Sequence, residues 1–463
     1  MATAGPALRP ARGRPSLHGL DATTTALIAV GASLLAVALC LNALAIVASR
    51  PAVLPILAVG AIGIAAMLVQ PAWIFPALVG LTWSSLGTAV LGGLPSPIEV
   101  GALAFLVVAL IRAAKRPALS REALLVCALF GLPVVIAAFT ARSDAALAVV
   151  PDLGKDLVFL FLVALCVVSL RDVQRVAMAL TVTGFILGAG AIYSVLVGPT
   201  PLFPLQNVND AVEAPRAVGP FGEANFFALS LAVLVPFALF QVARGGRVAV
   251  FGGLTAVLRT GGVLAAGSRG GVLTVLVVLV GFAWWSGNRR LRWSALGVVG
   301  VVALLVPIFA GQAASSRGRT IEGRTTENLI AAQMWADFPV TGVGPAQYPV
   351  LYRDYARGMG NDPRVLRHPH NLILEVAAEQ GTIGLFSWLC AALVVALAVI
   401  RARLWTSMLG KAVLMSIVAY FFCTLFLHGS QMRLLYMLVG LTLAMSAAVI
   451  ASGRAHTTEP AVP

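Results

Sequence analysis

The segment "RHPHNLILEVAAEQGTIGL", residues 367–385, places a polar cluster at the start of an apolar run and holds two of the chain's five histidines. A neutral imidazole can act as a general base near neutral pH, because its ordinary pKa is about 6.5. His370 adjoins Asn371 and a predicted helix, whose N-terminal end favours anions. We therefore predict that His370 is a catalytic base, supported by His368, Asn371 and Glu375. The alternative is that His370 and Asn371 only cap a membrane helix.

A metal site is a second interpretation of the same cluster. His368, His370 and Glu375 offer ligands, but an H-x-H pair without another outward-facing histidine supplies too few of them. Nucleotide-binding glycine motifs are absent from the sequence, and the five cysteines all lie in apolar runs. We therefore predict neither a metal nor a cofactor.

Arginines form the second group of candidate residues, because a guanidinium fork suits phosphate oxygens. Arg216 lies in "APRAVGPFGEANFFA", residues 214–228, and Arg269 lies in the glycine-rich turn "AAGSRGGVL", residues 265–273. Asn225, in the first of these segments, is predicted to cap the helix that follows. The plainer alternative for each arginine is a loop residue that contacts lipid headgroups.

Two further arginines are less specific. Arg259 lies within an apolar segment, where it either snorkels or lines an outward cavity. Arg324 leads into an amphipathic helix predicted near 325–337, whose apolar side includes Leu329. Three arginines are thus predicted to contact an anionic group of a substrate: Arg216, Arg259 and Arg269.

The composition indicates the setting of these residues. Hydrophobic residues make up 59% of the 463-residue chain, charged residues make up 11%, and the mean hydropathy is +0.94. Soluble domains carry about 25% charged residues, so the chain is predicted to be an all-α polytopic integral membrane protein. The net charge is +14, but no basic run is interleaved with aromatic residues, and nucleic acid is not a predicted partner.

Fourteen apolar segments are long enough to cross a bilayer core, which takes roughly 20 residues. The first three are closely spaced and interrupted by proline, so we expect 12–14 transmembrane helices. Lysine and arginine outside the longest loop lie mainly on one side of this arrangement, which places both termini in the cytoplasm. The predicted spans are 25–48, 52–69, 72–92, 97–113, 123–140, 154–170, 176–198, 225–243, 249–266, 270–286, 293–310, 382–400, 409–427 and 434–452.

These spans divide the chain into parts and place the main polar clusters on the outward side of the membrane. The predicted parts are a basic cytoplasmic tail at 1–23, transmembrane helices within 24–310 that include an outward loop at 199–224, a large outward loop at 311–371, further transmembrane helices at 372–452 and a cytoplasmic tail at 453–463.

In combination, the candidate residues favour group transfer from an anionic lipid. Arginines would hold a diphosphate and stabilise the charge that builds on it as it leaves. A histidine would take the proton from an acceptor hydroxyl that attacks the anomeric carbon of a sugar. A lipid-pyrophosphate glycan is therefore the predicted donor.

Four segments, in this order, resemble those of the O-antigen ligase and polymerase family: "RAVGPFGEANFFA", "GSRGG", "GRTTENLIAAQMWADFPVTGVGPAQY" and "HPHNLILEVAAEQGTIGL". The last segment fits the ligase pattern at His370, Asn371, Gly381 and Gly384. The resemblance covers about residues 210–390 and implies His370 as the base. It also implies that Arg216, Arg269 and Arg324 contact the substrate, whereas Arg259 has no firm counterpart in the family.

The resemblance further implies a GT-C-like helical fold, with short helices in the large periplasmic loop, in the bacterial inner membrane. The implied reaction is metal-independent, inverting transfer from an undecaprenyl-pyrophosphate-linked glycan donor. The implied acceptor is a glycan or lipid A–core, and membrane lipids are the remaining partners.

An O-antigen ligase, which joins O-antigen to lipid A–core, is the predicted function. A polymerase that extends the glycan on its carrier, or an enzyme that transfers glycan to protein hydroxyls, would need the same residues. A transporter of anionic lipid is the alternative from another class, but it predicts charged residues near the bilayer midplane rather than at one face.

Overall fold

The computed structural model describes residues 73–84, 119–140, 144–206, 215–289, most of 291–300, 317–359, 368–430 and 432–457. Three predicted spans, 25–48, 52–69 and 97–113, lie outside the described residues, as does most of the span predicted at 293–310.

The described residues are almost entirely helical. A two-residue antiparallel pair, β1 (Leu205–Gln206) and β2 (Arg216–Ala217), lies in the loop after α4. The helices are α1 (Ile74–Ser84), α2 (Arg121–Thr140), α3 (Asp144–Cys166), α4 (Leu170–Leu196), α5 (Ala224–Arg244), α6 (Gly246–Ala265), α7 (Arg269–Ser286), α8 (Arg317–Asp337), α9 (Tyr348–Gly358), α10 (Leu372–Ala402), α11 (Met408–Thr424) and α12 (Arg433–Thr457).

Within the described residues, seven helices are long and apolar enough to cross a membrane: α2, α4, α5, α6, α7, α10 and α12. The predicted all-α polytopic membrane fold is therefore confirmed. The span predicted at 154–170 falls on α3, which begins earlier, at Asp144, and is not among the seven. The total of 12–14 spans stays a prediction, because part of the chain lies outside the described residues.

The core is built around α5, whose sequence is apolar on every side. Such a helix is buried all round, and every residue from Phe227 to Gln241 is buried here. The helices α4, α6, α7 and α11 pack against it. Short connections make α5, α6 and α7 alternate in direction, so the end of α6 and the starts of α5 and α7 lie at the same end of the bundle.

A second, smaller core joins α8, α9 and the start of α10. The buried face of α8 consists of Glu327, Ile330, Ala331 and Met334, at the spacing of one helical stripe. Leu329, predicted on the apolar side, is instead 56% exposed. That part of the prediction is wrong, because Leu329 lies about 100° around the helix from Ile330.

A break at Gly381 divides α10, since its φ of 65° and ψ of −165° leave the helical region. This conformation is essentially restricted to glycine. Before the break, the Val343 N–H donates to the Ala378 carbonyl at 2.8 Å. After it, the Thr382 N–H donates to the Pro339 carbonyl at 2.8 Å. The turn after α8 thus satisfies backbone groups on both sides of the break and fixes α8 against α10.

Candidate active site

His370 pairs with a buried carboxylate at the N-terminal end of α10. Its Nε2 is 3.2 Å from Oε2 of Glu327, whose side chain is 1% exposed, against 22% for the His370 side chain. The buried face of α8 supplies Glu327. A carboxylate at one ring nitrogen orients the imidazole and stabilises its protonated form.

Asn371 is the N-cap of α10. Its Oδ1 accepts hydrogen bonds from the N–H groups of Ile373 at 2.9 Å and Leu374 at 3.2 Å. The capping alternative therefore applies to Asn371, whereas the ring of His370 contacts Glu327.

Two more histidines lie beside His370. The rings of His368 and His428 are stacked, with centroids 4.2 Å apart and planes 5° apart, and the His428 centroid is 6.4 Å from that of His370. Burial, followed by the neighbouring His368 and His370, lowers the pKa of His428 to about 2. Burial also lowers the pKa of His368. Both rings are therefore neutral near pH 7 and give the site a polar but uncharged wall.

His428 belongs to the turn between α11 and α12, residues 425–432, here called the C-terminal turn. Glu375 fixes this turn: its Oε2 accepts hydrogen bonds from the N–H groups of Gly429 at 2.8 Å and Ser430 at 3.0 Å. The Glu375 side chain is buried. Glu375 is predicted to support His370. Its hydrogen bonds position the turn that carries His428, whose ring lies beside His370.

Arg216 joins the loop before α5 to the turn between α6 and α7. Its Nε donates to the Ala266 carbonyl at 2.8 Å, and its NH2 donates to Oδ1 of Asn225 at 3.2 Å. Gly267 has a φ of 62°, and a β-carbon there would lie 3.2 Å from Arg216 Nε. Glycine at this position therefore leaves room for the guanidinium.

The prediction that Asn225 caps α5 is wrong. Glu223 is the N-cap, and its Oε2 accepts a hydrogen bond from the Phe226 N–H at 2.8 Å. Since the helix begins at Ala224, Asn225 lies inside its first turn. Asn225 instead links Glu223 to Arg216. Its Nδ2 donates to Glu223 Oε1 at 2.8 Å, and its Oδ1 accepts a hydrogen bond from Arg216.

The C-terminal turn brings the arginine-bearing segments and the histidines together. The edge of the Phe226 ring meets the ring of His428, with centroids 4.6 Å apart. A β-carbon on Gly270 would lie 3.7 Å from Cβ of Phe426. Arg269, the first residue of α7, is exposed beside this contact. Segments far apart in the chain thus converge at one end of the bundle.

The other two predicted arginines differ in position. Arg259 is 0% exposed, and its NH2 donates to the carbonyls of Leu180 at 2.5 Å and Thr181 at 3.2 Å. It joins α6 to α4 within the interior, which contradicts the predicted snorkelling and argues against contact with a substrate. Arg324 is half-buried on α8, one turn before Glu327.

Sequence analysis missed Glu327 and His428. The statement that no other histidine faces outward is wrong, because His428 directly follows the predicted span 409–427 on its outward side. Glu327 is recognisable in retrospect by its helical spacing from Ile330 and Met334. Among the described residues, no group of three or more His, Cys, Asp or Glu is arranged to hold a metal ion, and metal independence stays a prediction.

One comparison with known proteins gives a match. Residues 254–389 match a family model described as O-antigen ligase. The matched segment contains Arg269, Glu327 and His370, whereas Arg216 and His428 lie outside it. No curated protein matches the chain.

Proposed function

The match over residues 254–389 supports assignment of this chain to the O-antigen ligase/polymerase family, and we propose that it transfers a glycan from polyprenyl pyrophosphate to an acceptor hydroxyl. The family supports ligase-type or polymerase-type transfer of a glycan. Within that class we propose an O-antigen ligase that joins O-antigen to lipid A–core. The donor is proposed to be undecaprenyl-pyrophosphate-linked, and the site to face the periplasm, with both termini in the cytoplasm.

The single observation that carries the proposal is the pairing of His370 with the buried carboxylate of Glu327. The acceptor oxygen bonds to the anomeric carbon while the bond from that carbon to the diphosphate oxygen breaks. The acceptor proton passes to the His370 imidazole, and Glu327 stabilises the imidazolium that forms. The bonding electrons leave with the diphosphate, and attack from the opposite face inverts the anomeric carbon.

The departing diphosphate needs positive charge at the moment its own negative charge grows. Arg269 is exposed at the start of α7, and Arg216 is held by Ala266 and Asn225 at the same end of the bundle. We propose these two as diphosphate contacts, and Arg324, on the helix that carries Glu327, as a glycan contact. Arg259 is left out of this set because its guanidinium is wholly buried.

The test is in vitro transfer by the purified full chain, with a polyprenyl-pyrophosphate glycan and separate acceptors. We expect His370→Ala to lower the rate at least about a hundredfold, the usual contribution of a general base. Arg269→Ala should do the same, whereas Arg353→Ala, an exposed arginine on α9, should keep full rate. Full activity of His370→Ala on every acceptor would refute the base assignment.

Comparing transfer to the different acceptors distinguishes a ligase from a polymerase. Product on lipid A–core supports the ligase, whereas a ladder on the polyprenyl carrier identifies a polymerase. Movement of the donor across the membrane without any transfer identifies a transporter instead. Transfer that a chelator abolishes contradicts the metal-independent mechanism.

A further inference from the structure

We propose that a pocket at the opposite end of α4, α5 and α6 from the candidate active site binds the phosphodiester headgroup of an anionic phospholipid. The pocket has a volume of about 380 Å³, and its lining includes Trp73, Arg171, Arg175, Arg244 and Val248. This volume is large enough for a small-molecule headgroup.

This pocket and the candidate active site lie at opposite ends of α4, α5 and α6. Arg171 and Arg175 lie in the first turns of α4, whose far end leads into the loop that carries Arg216. Arg244 ends α5, and α6 then runs back to the turn that accepts the hydrogen bond of Arg216. A helix of 20 residues spans about 30 Å, so the two sites lie at opposite membrane faces.

The charge of the pocket favours an anion. Arg175 NH1 is 2.8 Å from Oδ1 of Asp172, which balances one of the three guanidinium groups. Arg244 NH1 donates to the neutral amide of Gln241 at 3.1 Å. Arg171 and Arg244 form no ion pair with any acidic side chain among the described residues. Two positive charges are therefore placed to bind the oxygens of a phosphate.

The backbone and the apolar lining point to the same ligand. The helix α6 begins beside the pocket at Gly246, and its N-cap, Gly245, provides no side-chain acceptor. Backbone N–H groups at such an end bind phosphate readily. Trp73 and Val248 supply apolar surface beside the arginines, and tryptophan is typical of headgroup depth. This mixture favours a phosphate attached to a lipid over free phosphate.

Native mass spectrometry of the full chain in detergent, titrated with dioleoyl phosphatidylglycerol, tests the proposal. We expect one bound lipid that is retained preferentially over phosphatidylcholine. The Arg171→Gln/Arg244→Gln variant should bind it at least about tenfold more weakly, as the loss of charge-assisted hydrogen bonds implies. Arg289→Gln removes an exposed arginine outside the pocket lining and should bind as the unaltered protein does.

Equal affinity of the double variant and the unaltered protein overturns the site, and so does equal retention of phosphatidylcholine. Competition by millimolar inorganic phosphate that removes all of the bound lipid overturns the preference for a lipid. If the double variant does not fold, as judged by its melting temperature without added lipid, Arg171→Gln alone carries the same test. Glycan transfer need not change in any of these variants, so the outcome is independent of the proposed function.

Discussion

At the scale of single residues, the chemistry proposed for His370 depends on what its ring touches. A buried carboxylate is costly unless it is paired, and Glu327 is buried beside that ring. The backbone of Glu327 is also fixed, because the Tyr348 hydroxyl donates to the Glu327 carbonyl at 2.6 Å. Tyr348 and Tyr352 are themselves buried, so they belong to the small core and are not available to stack on a sugar.

We expect Glu327→Gln to slow transfer by about 10- to 100-fold while KM changes little, because the amide cannot stabilise the imidazolium. The acidic limb of the pH–rate profile should move to lower pH, since the carboxylate no longer favours the protonated ring. Steady-state kinetics between pH 5 and 9 measure both effects. Gln333→Ala, an exposed change on the same helix, should alter neither, and an unchanged pH profile in Glu327→Gln contradicts the positioning role.

The neutral His428 makes the folded chain sensitive to acid. Its pKa is lowered from 6.5 to about 2, so the unfolded state takes up more protons below pH 6.5 and stability falls as the pH drops. At pH 5 this contributes at most about 2 kcal/mol. We expect the melting temperature of His428→Phe to fall less between pH 7.5 and pH 5 than that of the unaltered chain. An equal fall in the two proteins would show that His428 titrates normally.

At the scale of elements, the break in α10 explains the spacing of the ligase pattern formed by His370, Asn371, Gly381 and Gly384. The nine residues between Asn371 and Gly381 form a short helix that has His370 just before its N-terminal end and Glu375 on its buried side. After the break, the helix continues to Ala402 as the membrane span. A β-carbon on Gly384 would overlap Cβ of Gln380, whose Oε1 accepts a hydrogen bond from Trp388 Nε1 at 3.2 Å. Both glycines of the pattern are thus explained by backbone geometry and packing.

Gly381→Ala is expected to destabilise the fold by at least about 3 kcal/mol, through backbone strain and overlap with the backbone of Val340. Thermal unfolding of the purified variant in detergent gives the size of the effect. Gly358→Ala is the matched control, because a β-carbon there meets nothing within 4 Å. Equal melting temperatures for the two variants would contradict the requirement for glycine at the break.

At the scale of the whole molecule, antiparallel helices separate two polar regions. The histidines and Arg216 lie at one end of the bundle, and the pocket of Arg171 and Arg244 lies at the other. The proposed periplasmic loop at 311–371 carries α8 and α9, which form a small core with the start of α10. If the proposed orientation is right, α9 is accessible only from the periplasm.

Cysteine labelling tests this orientation in a chain whose five native cysteines are replaced by alanine. We expect Arg353→Cys, exposed on α9, to react with a membrane-impermeant maleimide in spheroplasts. Arg289→Cys, exposed beyond the other end of α7, should react only after permeabilisation. The reverse pattern would place the proposed active site in the cytoplasm.

The sequence by itself was enough to predict the membrane class and most of the described spans, and to select His370 as the candidate base. These features depend on local properties: apolar runs of bilayer length, helix spacing and the chemistry of an imidazole beside a helix start. The order of the four segments also predicted the family, because motif order along a chain needs no tertiary information.

Only the tertiary structure decided which residues surround His370. Glu327 comes from a helix more than 40 residues earlier, and His428 from a turn almost 60 residues later. Their approach depends on how α8, α10 and the C-terminal turn pack, and no local pattern encodes that packing. Long-range packing also explains why Arg259 lies in the interior, since carbonyl groups of α4 accept hydrogen bonds from its guanidinium. Helix periodicity fixes which face a residue occupies, whereas the partner of that face is set by long-range packing.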